Sequence, residues 1–100
     1  MATDRDYLEY IMENLPEGAS FRPMMGEYII YYGSKVVGGI YDNRFLIKPT
    51  ASAVSLMPDA VRELPYDGAK PMLLVSDTDS RNFLKKLLES VSAELPRTKK

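Results

Sequence analysis

One hundred residues fit one domain with a single core, and 45% apolar with 27% charged residues argue for neither a disordered chain nor a membrane protein. Thirteen basic against fourteen acidic side chains leave a formal net charge of -1, so any contact with nucleic acid or anionic lipid needs a local patch. Cysteine and histidine are both absent, which removes disulfides, thiolate and imidazole metal sites, and every Ser-His-Asp or Cys-His nucleophile arrangement.

Met1 to Asp6 carries both charge signs with no apolar run behind it, unlike an export signal. The longest apolar stretch, Tyr28 to Tyr32, falls far short of the ~20 residues a spanning helix needs, so the expected location is the cytoplasm. Thr3 followed by Asp6 reads as a helix N-cap with an acid at the third helical position. Tyr7, Leu8, Ile11, Met12 and Leu15 then recur on one helical face, and Pro16 with Gly18 ends the run.

From Phe21 to Pro49 the pattern turns to β, with turn pairs at Gly33-Ser34 (type II′) and Asp42-Asn43 (type I′). Those turns set Tyr32 opposite Lys35 and Tyr41 opposite Arg44, and put Glu27 opposite Ile40. Strict alternation then assigns Ile29, Tyr31, Val36, Ile40, Phe45 and Ile47 to an apolar face beneath the helices. The opposite face would carry Tyr28, Ile30, Tyr32, Lys35, Val37, Tyr41, Arg44, Leu46 and Lys48, too aromatic and apolar for a merely solvated surface. It is the expected contact surface. Gly38 and Gly39, mid-strand, mark a bulge or the close approach of another element.

Thr50 can cap a short helix through Leu56, with Asp59 to Leu64 continuing as helix or irregular turn. Pro65, Gly68 and Pro71 punctuate a loop before a short buried strand, Met72 to Val75. Asp77 to Ser80 opens a second long helix with Phe83, Leu84, Leu87, Leu88 and Val91 on its apolar face, stopped by Pro96. Asp77 and Asp79 read as cap and first-turn acids rather than a metal pair, and Glu27 as the solvated start of a strand rather than a general base. The order implies an α+β domain over residues 1–96, an antiparallel meander with N- and C-terminal helices on one face, followed by a mobile basic tail, Arg97 to Lys100. No catalytic motif, metal site or cofactor site is expected, so the chain reads as a non-enzyme. Aromatics and Arg mixed with Lys on one face favour a protein interface, including a homodimer seam. Stacking of single-stranded nucleic acid is the second reading.

Arg22-Pro23-Met24-Met25-Gly26-Glu27-Tyr28, with Tyr31-Tyr32, Lys35, Gly38-Gly39-Ile40-Tyr41, Leu46, Lys48-Pro49-Thr50 and the later Pro65 to Met72, resembles the TfoX N-terminal domain family, related to the Sxy competence regulators. The resemblance implies a secretion-chaperone-like α+β fold, no catalytic residues, and regulation of competence and transcription through a protein partner such as a transcription factor. Arg22, Pro23, Met24, Gly26, Tyr28, Gly38 and Gly39 match the family string, most of them in structural roles. The longer regulators carry a second, C-terminal domain for which this sequence leaves no room.

Overall fold

The computed structural model describes residues 3–96. Three hairpins and one short helix are enough to lay down most of the sheet. In chain order the elements are α1 (Arg5–Asn14), β1 (Ala19–Met24), β2 (Glu27–Tyr32), β3 (Lys35–Tyr41), β4 (Arg44–Ile47), α2 (Ala51–Leu56), β5 (Arg62–Glu63), β6 (Met72–Leu74) and α3 (Arg81–Ala93). All six strands form one antiparallel sheet, in the order β1-β2-β3-β4-β6-β5, so the fold is α+β as the sequence implies.

The turn chemistry explains the meander. Asp42 and Asn43 both have positive φ (52° and 58°), as a type I′ turn requires, and Gly33 has φ 64° as the first residue of a II′ turn. A third tight hairpin joins β1 to β2 through Met25 and Gly26, again with both φ positive (53° and 88°). Composition hides that turn, because methionine seldom adopts left-handed backbone.

The core lies between the sheet and the helices. Leu8 and Ile11 of α1 meet Leu84, Leu87, Leu88 and Val91 of α3 over Ile30, Val37, Ile40, Phe45, Ile47 and Leu73. Burying one such aliphatic side chain contributes about 1.5–3 kcal/mol, and the 3.6-residue spacing in both helices delivers them to one side. Hydrogen bonds between the Tyr10 and Thr78 hydroxyls (3.1 Å), from Asn14 to the Thr78 carbonyl (3.2 Å) and from Arg81 to Asn14 (3.2 Å) tie α1 to the segment leading into α3.

Four local expectations are corrected. Asp4, not Thr3, precedes α1 as N-cap; Thr3 is instead buried and bonded to Glu27. Ser80 caps α3 by accepting the Phe83 N–H (3.4 Å), so Asp77 and Asp79 lie ahead of the helix. Within Asp59 to Leu64, expected as helix or turn, Arg62–Glu63 is a two-residue edge strand paired with β6. The predicted Thr50 cap is present, accepting the Ala53 N–H at 3.2 Å.

The fourth correction is the face assignment. Tyr32 does pair with Lys35 and Tyr41 with Arg44, but β3 holds one extra residue, Val37, between the Tyr31–Val36 and Ile30–Gly38 pairs. This bulge shifts Tyr28, not Glu27, opposite Ile40 and reverses side-chain parity along β3. Tyr28, Ile30, Tyr32 and Val37 therefore pack with the helix-side core, while Ile29, Tyr31 and Val36 fall on the other face. Lys35 is also on the helix side, its Nζ donating to the Ser92 carbonyl of α3 at 2.9 Å. Ile40, Phe45 and Ile47 lie beneath the helices as expected. The basic tail, Arg97 to Lys100, lies outside the described residues.

Candidate functional site

Past the bulge, alternation sends Tyr41, Arg44, Leu46 and Lys48 to the face of the sheet away from the helices. Leu46 and Tyr41 are nevertheless buried, Tyr41 to 8% exposure. The long β5–β6 connection accounts for the Tyr41 side: Pro65 is buried, and the Tyr66 ring lies tilted against Tyr41 with centroids 6.1 Å apart. Gly39 makes room for this, since a Cβ there would sit 2.5 Å from the Tyr41 ring and 2.8 Å from the Tyr28 carbonyl. Gly38 is needed for a different reason: a Cβ would lie 2.1 Å from the Leu46 carbonyl oxygen on the neighbouring strand. The paired glycines thus follow the bulge at Val37 and allow the close approach of the β4 backbone and the Tyr41 ring.

Tyr41, Pro65 and Tyr66 form a ridge with a hollow on each side. One, of about 540 Å³, runs past Val36, Lys48, Pro49, Ala69, Lys70 and Pro71 to Leu95. The other, of about 280 Å³, is completed by Met24, Met25 and Glu27 at the tip of the β1–β2 hairpin. Met25 is 98% exposed and Tyr66 59% exposed, so this tip presents apolar side chains with no part in the core. Arg44 forms an ion pair with Glu63 that fastens β5 beside the ridge.

The polar groups near the tip are already partnered. Thr3 Oγ1 donates to Glu27 Oε1 at 2.6 Å and accepts the Asn43 N–H at 3.2 Å, and the same Glu27 oxygen accepts the Asp42 N–H at 3.0 Å. Asp4 N–H donates to Asn43 Oδ1 at 2.9 Å, completing a latch between the N-terminal segment and the β3–β4 turn. Glu27 is therefore a structural acceptor. Burial first, then the neighbouring Tyr66 and Glu27, push the Tyr41 phenol above its ordinary value, so it stays neutral and cannot act as a ready base. Among the described residues no group of three or more acidic side chains is placed to hold a metal ion, and no helix is long and apolar enough to cross a membrane.

Of the nine residues expected on one contact face, Tyr41, Arg44, Leu46 and Lys48 share the outer surface, whereas Tyr28, Ile30, Tyr32, Lys35 and Val37 turn to the helices. The stretch Arg22 to Tyr28 forms the outer half of the β1–β2 hairpin and its tip, with Arg22, Pro23, Met24 and Gly26 all exposed. Pro23 fits there because β1 is a sheet edge, where a missing N–H costs no ladder bond. Alternation within the meander missed Met25, Tyr66 and Lys70. Gly39 signals only the Tyr41 ring packed over it, against which Tyr66 in turn lies.

No family model and no solved structure matches the chain. It is 33% identical over 102 aligned positions, covering 99% of this chain and 89% of the other, to an uncharacterized 12.7 kDa protein in the trpE 5′ region of Spirochaeta aurantia. With that identity over nearly the whole of both chains, the protein belongs to the same family as the spirochaete protein.

Proposed function

We propose that the protein is a non-enzymatic, cytoplasmic interaction module that binds a protein partner at the β1–β2 tip and the Tyr66 ridge. The observation that carries this reading is Met25: a fully exposed apolar side chain held at φ 53°, in a turn where Asn or Gly would fit without strain. Methionine is adaptable in shape, and beside exposed Tyr66 and Met24 it suits a surface that takes up apolar side chains of another protein. The resemblance of Arg22 to Tyr28 to the TfoX N-terminal domain supports a regulatory role of that kind, acting on transcription through a partner. The absence of His and Cys from the sequence supports a role without catalysis.

The test is quantitative pull-down from the native cell with the full chain as bait, comparing wild type with Met25→Asn plus Tyr66→Ser. A partner retained by wild type and lost at least tenfold by the variant is expected, corresponding to about 1.4 kcal/mol or more of binding free energy. Equal capture by both, or capture of nothing above a bait-free control, would end this reading. Light scattering after size exclusion decides whether the partner is a second copy, in which case the same variant shifts a dimer to monomer.

A further inference from the structure

We infer that the larger hollow, between the outer sheet face and the β5–β6 loop, is a binding site for a small planar aromatic anion. Its volume of about 540 Å³ lies within the 300–1,000 Å³ range of small-molecule sites. Its walls are flat: the rings of Tyr41 and Tyr66 and the pyrrolidines of Pro49, Pro65 and Pro71 line it. Such surfaces accept a flat ring edge-on or stacked, with good contact area at little entropic cost.

Charge selects the ligand. Among the described residues, the cations lining the hollow are Lys48 and Lys70, and no carboxylate lines it. Arg44 nearby is already paired with Glu63, whereas neither lysine has an ion-pair partner among the described residues. Two unneutralised ammonium groups at the rim of an apolar hollow create a field that an anion relieves and that a neutral ligand does not. The two lysines reach the hollow from different elements, Lys48 from the residue after β4 and Lys70 from the β5–β6 loop, so a carboxylate in the cleft is attracted to both. Binding involves no covalent step. The site is separate in chemistry from the methionine tip across the ridge, and its test reads no protein partner.

The experiment is a ¹⁵N chemical-shift titration of the full chain with 2-naphthoate, and in parallel with 2-naphthalenemethanol, which has the same ring system without the charge. Saturable shifts confined to amides around Gly38, Tyr41, Ala69 and Met72 are expected at about millimolar 2-naphthoate or below. The double variant Lys48→Gln, Lys70→Gln should weaken 2-naphthoate at least tenfold and change the alcohol less than twofold. Ala69→Phe, which fills the hollow, should abolish both. An unchanged dispersed spectrum of the lysine variant, whose wild-type side chains make no hydrogen bond among the described residues, keeps the test valid even where Ala69→Phe does not fold. Absence of saturable shifts, shifts mapping elsewhere, or equal affinity for the acid and the alcohol would overturn the inference.

Discussion

At the scale of single residues, the β1–β2 tip sets stability against use. Met25 in left-handed backbone carries a steric cost that asparagine largely avoids, and Asn followed by Gly26 is the preferred type I′ pair. Met25→Asn should therefore stabilise the protein by up to about 1 kcal/mol in urea unfolding, while weakening partner capture. A destabilised variant would mean the turn does not strain methionine. Gly38 marks the opposite extreme. An added Cβ would press on the Leu46 carbonyl, which belongs to the neighbouring backbone and cannot swing aside. Gly38→Ala should cost roughly 3 kcal/mol or prevent folding, as overpacking against fixed atoms does. An alanine variant of wild-type stability would show that the strands separate freely there.

Among the elements, α2 and α3 are joined by a carboxylate that sequence periodicity does not reveal. Glu94, just past the end of α3, accepts the Ser52 N–H at 2.9 Å and the Ser52 hydroxyl at the start of α2. The Ser52 hydroxyl first, then its N–H, hold the Glu94 carboxyl below its ordinary value. The sign follows from linkage: a depressed folded-state pKa stabilises the fold above the unfolded value, and that stabilisation is lost as pH falls through the folded one. Glu94→Gln should therefore lower Tm at neutral pH, with the deficit shrinking as pH drops below the usual glutamate range near 4.5. A deficit independent of pH would assign the loss to geometry rather than charge. The long helices and the β2–β3 and β3–β4 hairpins were legible because apolar spacing and turn residues are local properties, whereas the Met25-Gly26 turn was not. The faces of the sheet were not, because one extra residue at Val37 reverses the parity of everything before it, and only Gly38-Gly39 hinted at the bulge. The candidate site was less legible still: its upper wall, Pro65 to Pro71, comes from a loop whose docking depends on the whole sheet.

For the molecule as a whole, the contrast is between a deeply packed body and a lightly fastened margin. Leu87 has no exposed surface in the core shared by α1, α3 and the sheet, whereas β5 is two residues long and is tied to β4 by the partly buried Arg44–Glu63 pair. Such a margin opens at lower free energy than the body, and the wall of the proposed ligand site opens with it. Leu87→Ala should lower global stability by about 2–5 kcal/mol and speed hydrogen exchange in every element, because the lost contacts support one cooperative core. Arg44→Gln should instead act locally, with a global loss of about 1 kcal/mol, because the pair lies at the sheet margin, where solvent reaches both side chains and screens part of the attraction. Its signature is faster exchange confined to the amides bonded across β5, such as the Leu74 N–H donated to the Val61 carbonyl at 2.9 Å. Exchange accelerated equally in β2 and β3 would place the 62–71 segment in the same cooperative unit as the core, leaving the outer hollow as rigid as the sheet beneath it.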